Sequence, residues 1–169
     1  MKQIRLILSA LVLSVLAFGV QAGALTDFAE NKAVDWLIRG QTYTPPATQH
    51  WALFTDTCTD AGPGTEVSTS GTAYARAAVT ASLTNWSGTL SSAQTAASSG
   101  TSGTTYNIPA IAWSASTAAW GNLQSAGLMD ASTAGNRLLC INLTSSLNVS
   151  GSGFTVQFPA SSFSFQMDN

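Results

Sequence analysis

Short apolar segments separated by turn residues run from residue 49 to the end of the chain, and this spacing strongly constrains the fold. The last segment is the clearest, because Phe163, Phe165 and Met167 alternate with polar residues and so share one face of a strand. Many short strands with frequent turns favour a mainly β fold, an antiparallel β-sandwich of jelly-roll-like type, over any α/β fold. The predicted strands cover residues 49–55, 72–80, 107–113, 120–129, 137–143, 154–158 and 162–168.

One short α-helix is predicted ahead of the sandwich, over residues 27–39. Asp27 and Glu30 are spaced as in a capping box, and Gly40 can end the helix. Four apolar residues share one helical face: Ala29, Ala33, Trp36 and Leu37. Two prolines then force an extended connector to the sandwich, which we expect to occupy residues 49–169.

The N-terminus has the pattern of a secretory signal peptide. A basic start precedes an apolar run over residues 6–20, and Val20-Gln-Ala22 offers the small residues that cleavage requires. Residues 1–22 are therefore predicted to be removed, which leaves a single domain over residues 23–169. The alternative is an uncleaved hydrophobic helix, buried in an assembly or resting in a membrane. If residues 1–22 are not cleaved, they are the one segment expected to contact a membrane.

Low charge excludes nucleic acid as the principal partner. Only 8% of the residues are charged, and four basic residues stand against eight acidic ones after the N-terminal segment. Binding to a phosphate backbone requires clustered Lys and Arg, which the chain lacks. A surface built of Ser, Thr, Asn, Gly and Ala instead favours exported β proteins and packed assemblies.

No motif for catalysis or for a cofactor is present. The single histidine, His50, has no triad or metal-ligand pattern around it. Asp56 and Asp60 flank Cys58, but the central glycine and terminal glutamate of a calcium loop are missing. We therefore predict that the protein is not an enzyme and needs no metal, nucleotide or organic cofactor.

Cys58 and Cys140 are the two cysteines of the chain. In an exported protein they could form a disulfide that closes a long loop, whereas in a reducing compartment they would stay free. Cys140 follows two leucines in a predicted strand, so it could equally be a small core residue.

Most of the five tryptophans occupy helix or strand positions and are expected in the core. Trp86 differs, because it lies in Thr84-Asn-Trp-Ser-Gly88 beside a long polar segment predicted to be a surface loop, residues 87–105. We therefore single out Trp86 as a candidate binding residue, with a host-surface glycan as its possible ligand.

Several short motifs occur in a fixed order from the helix onward. They include Tyr43-Thr-Pro-Pro-Ala47, Ala52-Leu-Phe-Thr55, Asp60-Ala-Gly-Pro-Gly-Thr-Glu-Val-Ser68, Tyr74-Ala-Arg76, Gly127-Leu-Met-Asp-Ala131 and Gly135-Asn-Arg-Leu-Leu139. In this order, over residues 26–169, the chain resembles a family of small phage tail-fibre-like or virion-associated structural proteins. The resemblance implies a virion location and a β-sandwich that packs against copies of itself or other structural proteins. It implies no catalytic residues.

The leading interpretation is a structural virion protein, such as a fibre, decoration, collar or tail-associated subunit, that forms a homo-oligomer. Phe163, Phe165 and Met167 are the candidate assembly residues, because a terminal strand can lie at a sheet edge. The alternative is a binding module exported to the periplasm or the extracellular space, which could recognise carbohydrate through Trp86.

Overall fold

The computed structural model describes residues 24–62, 64–88 and 103–167, and over these ranges the protein is mainly β. The mainly β, antiparallel, sandwich-like fold with one helix near the N-terminus, predicted from the sequence, is confirmed. The predicted signal peptide and most of the predicted loop over residues 87–105 lie outside the described residues. The elements in chain order are β1 (Ala24–Leu25), α1 (Asp27–Leu37), β2 (Thr48–Phe54), β3 (Ala77–Thr80), β4 (Thr104–Tyr106), β5 (Ile111–Ala112), β6 (Gly121–Met129), β7 (Arg137–Val149), β8 (Gln157–Phe158) and β9 (Ser164–Gln166).

A five-stranded antiparallel sheet with the order β1-β7-β6-β2-β3 forms the larger layer. Two two-stranded antiparallel ladders, β4-β9 and β5-β8, accompany it. The centre of the large sheet is β6, which pairs with β2 on one side and β7 on the other. Each ladder joins a strand that precedes β6 to a strand that follows β7, so the two ladders bracket these central strands in sequence.

The main core contains side chains from the large sheet and from both ladders. Trp51 of β2 lies 4.7 Å from Phe163 and 6.4 Å from Phe158, measured between ring centres. Trp113 in turn meets Phe158 edge to face at 5.7 Å. Edge-to-face aromatic pairs are favourable beyond the area they bury, so these rings bind the ladders to one face of the large sheet.

The opposite face of the large sheet is also covered near the end of β2. Trp51, Ala52, Leu53 and Phe54 are all buried, although alternate residues of a strand point to opposite faces. Trp51 and Leu53 belong to the main core, whereas Ala52 and Phe54 form a separate cluster with Met129. A second covering element must therefore lie over Phe54, and the loop over residues 56–62, held there by Arg137, supplies it.

Helix α1 begins at Asp27, as predicted, but ends at Leu37. The predicted capping box is absent, because the N-cap is Thr26, whose hydroxyl donates to the carbonyl of Arg137 on β7. No residue of α1 is buried, so the helix is held at its first turn while its last turn projects. Among the described helices, none is long and apolar enough to cross a membrane.

Some strand boundaries differ from those predicted. The predicted strand over 107–113 is replaced by β4 and β5, separated by a segment that contains Pro109, which has no N–H for a ladder. Strand β7 continues past the predicted end at residue 143 to Val149, because its last residues pair with Gly121 and Asn122. The strands predicted at 72–80 and 154–158 shorten to β3 and β8.

Candidate binding and assembly surfaces

Cys58 and Cys140, the candidate disulfide pair, are joined in the structure with their Cα atoms 5.6 Å apart. The bond connects the loop over residues 56–62 to the first part of β7. Two hydrogen bonds run parallel to it: the Cys58 N–H donates to Asn142 Oδ1 at 2.8 Å, and Ser125 Oγ donates to the Asp56 carbonyl at 2.7 Å. The loop is thereby fixed to two neighbouring strands of the large sheet.

Arg137 also holds this loop, through hydrogen bonds to its backbone. Its Nη2 donates to the carbonyl of Thr59 at 2.6 Å and also to the carbonyl of Gly62. Its guanidinium carbon lies 5.3 Å from the centre of the Phe54 ring. Arg137 is only 6% exposed, and burial lowers its pKa, an effect that the nearby Asp56 and Asp60 partly oppose. The cation therefore serves as a buried anchor for loop carbonyls.

A cavity of about 300 Å³ lies between the start of α1 and this loop. It is lined by Thr26, Asp27, Phe28, Asp60, Ala61, Gly62, Met129, Gly135, Asn136 and Arg137. Its wall contains the carboxylates of Asp27 and Asp60 and the guanidinium of Arg137, which is already hydrogen-bonded. The wall therefore has no excess positive charge. The cavity thus offers no evident site for an anion.

A second polar network surrounds Glu66, and no pattern in the sequence indicates it. Arg76 forms a two-pronged ion pair with Glu66, at 2.9 Å from Nε and 2.7 Å from Nη2. Tyr74 donates to the same carboxylate at 3.0 Å and accepts the N–H of Leu53 at 2.8 Å. The hydrogen bond to Glu66 raises the pKa of Arg76, and burial raises that of Tyr74.

Arg76 also connects this network to the turn between β6 and β7. Its Nη1 donates to the carbonyls of Ala131 and Ala134 at 2.6 and 2.8 Å. Most of the ordered motifs of the sequence therefore meet in space, since Glu66, Arg76, Ala131 and Arg137 come from four of them. These residues hold strands and loops together, and their charged groups are engaged in doing so.

Trp86 lines a second cavity, of about 430 Å³. Its ring is half-buried and packs against Trp51 at 6.0 Å and Phe163 at 5.8 Å, between ring centres. The indole Nε1 has no hydrogen-bond partner, and the same holds for Oε1 of Gln49, another lining residue. The candidate binding residue thus lies in the wall of a cavity.

The C-terminal candidates are placed in different environments. Phe163 is 1% exposed and belongs to the main core, and Phe165 is partly buried against that core. Met167 is 61% exposed. Phe163 therefore has no free surface for a partner, because the fold already uses its ring. Met167 alone of the three keeps most of its side chain accessible.

Helix α1 carries an exposed apolar surface, here called the α1 patch: Val34, Trp36, Leu37 and Ile38. Trp36 is 64% exposed and Ile38 is 80% exposed. The expectation that tryptophans lie in the core is met by Trp51, Trp113 and Trp120 but is wrong for Trp36. The sequence placed Trp36 and Leu37 on one helical face with Ala29 and Ala33, but nothing in the sequence showed that the sheet leaves this end of the helix uncovered.

The side chains that could bind a metal ion are dispersed over the described part of the chain. There, no cluster of three or more His, Cys, Asp or Glu side chains is placed to hold a metal ion. His50 lies on β2, partly buried, opposite Met129 on one neighbouring strand and Ala78 on the other.

Comparison with known proteins identifies the family. No curated protein matches the chain. Residues 24–166 match the family model described as podophage GP4 fiber I protein gp80. The match covers both networks, the disulfide and nearly all of the sandwich, and it agrees with the order of motifs noted in the sequence. The chain therefore belongs to the podophage GP4 fiber I protein gp80 family.

Proposed function

We propose that this protein is a structural subunit of a podophage tail fibre and that it attaches to other virion proteins through the α1 patch. The observation that carries the proposal is membership of a phage fibre family over residues 24–166. Membership supports a virion location and contact with other virion proteins. The family is that of a fibre protein, which favours this role over capsid decoration or a collar.

The α1 patch is the surface best suited to that contact. Helices as short as α1, of 11 residues, are marginal in water unless tertiary packing supports them. Packing supports α1 only at its start, and four large apolar side chains near its end remain exposed. Exposed apolar patches of this kind mark interaction surfaces.

The charges beside the patch are compatible with burial in an interface. Arg39 and Asp35 form an ion pair at 3.4 Å, one helical turn apart. A paired charge can enter an interface at lower cost than an isolated one. A partner that covers Trp36 and Ile38 would therefore meet a surface with little uncompensated charge.

We also infer that the protein acts without catalysis. Glu66, Arg76 and Arg137, which could serve as catalytic groups elsewhere, are committed to hydrogen bonds that hold the fold. Self-association, expected from the low surface charge, is part of the same proposal, and light scattering of the purified protein tests it. The exported binding module stays a second candidate on one observation, the cavity beside Trp86.

Incorporation of patch variants into particles tests the attachment surface. Phage that carry Ile38→Asp or Trp36→Asp should assemble particles with much less of this protein, because a charge at the patch opposes burial. Phe154→Asp, at an exposed phenylalanine outside the helix, is the matched control and should be incorporated normally. Circular dichroism of the purified variants establishes that they remain folded. Normal incorporation of both patch variants would contradict the proposal.

A further inference from the structure

The loop over residues 56–62 is closed at its base, so that it can open without the sheet. The N–H of Thr55, just before the loop, donates to the carbonyl of Thr65 at 2.9 Å. Phe54 and Glu66 form an antiparallel bridge next to this bond. Because these contacts lie outside the loop, detachment of the loop is a local event and does not require unfolding of the large sheet.

Apolar packing contributes little to the order of this loop. None of residues 56–62 belongs to either apolar core cluster. Thr57, Thr59, Asp60 and Ala61 are exposed. Folding normally offsets the loss of backbone entropy by burying apolar side chains. The loop buries few of its own, so its order must come from polar or covalent contacts.

Hydrogen bonds offset only part of the loss of entropy. Four of them attach the loop to the sheet, and they join Arg137 to Thr59 and Gly62, Asn142 to Cys58, and Ser125 to Asp56. Ordering the backbone of one residue costs about as much free energy as one hydrogen bond contributes, or more. Four hydrogen bonds for seven ordered residues therefore leave the loop weakly held.

The disulfide between Cys58 and Cys140 supplies the remaining constraint. It holds the middle of the loop against β7 and so reduces the conformational freedom that the hydrogen bonds must overcome. Cys58 is partly exposed and lies between the exposed Thr57 and Thr59, whereas Cys140 is buried. A thiol or disulfide in solution therefore reaches this bond from the side of Cys58.

The loop covers apolar side chains that have no other cover on this face of the sheet. Ala52, Phe54 and Met129 form a small cluster, and each of them is 5% exposed or less. Met129 also lines the cavity between the loop and the start of α1, of about 300 Å³. Detachment of the loop would therefore uncover an apolar surface at the base of α1.

We propose that the disulfide between Cys58 and Cys140 is a redox-sensitive lock on this loop. In the oxidised protein the loop is ordered and covers Phe54 and Met129. In the reduced protein the sheet persists, but the loop detaches and uncovers them. The redox state of the surroundings thus decides whether the protein exposes a second apolar surface besides the α1 patch. The lock goes beyond the structural role proposed above and does not depend on it.

Closure of the lock requires a small-molecule disulfide as oxidant. The Cys58 thiolate attacks this disulfide, forms a mixed disulfide and releases one thiolate. The Cys140 thiolate then attacks the sulfur of Cys58 and releases the second. The two released thiolates take up the two protons that the cysteines lose. Two protein thiols are thereby oxidised to one disulfide, and one small-molecule disulfide is reduced to two thiols.

Backbone ¹⁵N relaxation of the purified protein, first oxidised and then reduced with a phosphine, tests the lock. The amides of Thr57, Thr59 and Ala61 report on the loop, and that of Leu53 reports on the sheet. All four should have order parameters near about 0.85 in the oxidised protein, and on reduction the loop amides should fall below about 0.6 while Leu53 keeps its value. Reoxidation with oxidised glutathione should restore the order of the loop.

Three outcomes of this experiment would overturn the proposal. The loop amides could keep their order on reduction, which would show that the hydrogen bonds suffice. Leu53 could lose order together with the loop, which would make the disulfide a general support of the fold. The loop could also stay disordered although mass spectrometry shows that the disulfide has formed again.

Two variants make the test specific. Cys58→Ser combined with Cys140→Ser should show the loop order of the reduced protein without any reductant. Ser125→Ala is the matched control, because it removes one hydrogen bond to the same loop and leaves the disulfide in place. Its loop should stay ordered when oxidised. An ordered loop in the double variant, or a disordered loop in oxidised Ser125→Ala, would contradict the lock.

An anilinonaphthalene sulfonate dye measures the uncovering of Phe54 and Met129. Its fluorescence should rise severalfold when the protein is reduced, because the dye binds exposed apolar surface. An unchanged signal would also overturn the proposal. All these measurements use the purified protein alone, so they are independent of incorporation into particles, which tests the structural role separately.

Discussion

The guanidinium of Arg137 lies 5.3 Å from the centre of the Phe54 ring and joins the large sheet to the loop over residues 56–62. Phe54 would otherwise be an apolar residue on an uncovered sheet face. The stacked pair lets one loop close that face, because Arg137 donates to two of the loop carbonyls. The disulfide between Cys58 and Cys140 fixes the same loop covalently.

Substitution of Arg137 by Met should lower the free energy of unfolding by about 1–3 kcal/mol, because the carbonyls of Thr59 and Gly62 lose their donor. Methionine retains much of the packing on Phe54, so the loss reports mainly on the hydrogen bonds. Arg39→Met is the control: its ion pair with Asp35 is exposed, and such pairs contribute about 0–1 kcal/mol. Urea unfolding measures both variants. If both substitutions lower the free energy of unfolding equally, Arg137 does not anchor the loop.

A side chain at Gly127 should disturb the same stack. A Cβ there would lie 2.8 Å from Cδ of Arg137 and 3.0 Å from Cε2 of Phe54. Gly127→Ala should therefore destabilise the protein by about 1–3 kcal/mol through overpacking. Gly151→Ala, where a Cβ meets nothing within 4 Å, should change stability by less than about 0.5 kcal/mol. Thermal unfolding measures the stability of both variants. If Gly127→Ala is as stable as the unmodified protein, Arg137 and Phe54 do not pack as closely over residue 127 as described.

Reduction of the disulfide should lower stability by about 3–5 kcal/mol, since the bond closes a loop between residues 82 apart in sequence. The double variant Cys58→Ser, Cys140→Ser should behave like the reduced protein. Urea midpoints with and without reductant give the difference. If reductant leaves the wild-type midpoint unchanged, the two sulfur atoms are not bonded in the native protein.

Alkaline pH should lower the free energy of unfolding, because the Tyr74 phenol ionises less readily in the folded protein than in the unfolded chain. Burial raises its pKa above the ordinary value of 10.0, so the folded state favours the protonated phenol. The stability due to this shift is fully present below pH 10 and falls as pH rises further, by at most about 1.4 kcal/mol per pH unit. Tyr74→Phe should be less stable at neutral pH but should show a shallower decline above pH 10. An identical decline in both proteins would exclude Tyr74 as its source.

Sequence patterns predicted the large sheet better than what lies over it. The strand starting near residue 49 and the strand over 120–129 are found within one or two residues of their predicted positions, since apolar runs between turns mark them clearly. The consecutive burial of Trp51 to Phe54 indicates a sheet covered on both faces. The covering loop could not be derived, because Phe54 and Arg137 are distant in sequence and meet only after folding.

The candidate sites were predicted only in part. Trp86 was singled out by its polar surroundings, yet its packing against Trp51 and Phe163 was missed, because these residues are distant in sequence and meet only after folding. Trp36, which was expected in the core, is exposed on the helix. Phe163, which was a candidate assembly residue, is buried in the core. Removal of residues 1–22 stays a prediction.

Mass spectrometry of purified particles tests the central claim, that the protein is a structural part of the phage fibre. Chymotrypsin is the suitable protease, because Lys and Arg are sparse after residue 39 while aromatic residues recur along the chain. Virions separated into heads and detached tail fibres should yield peptides from residues 24–167 in the fibre fraction, at a fixed ratio to other fibre proteins. Peptides found in the infected-cell lysate but missing from intact virions would contradict the account.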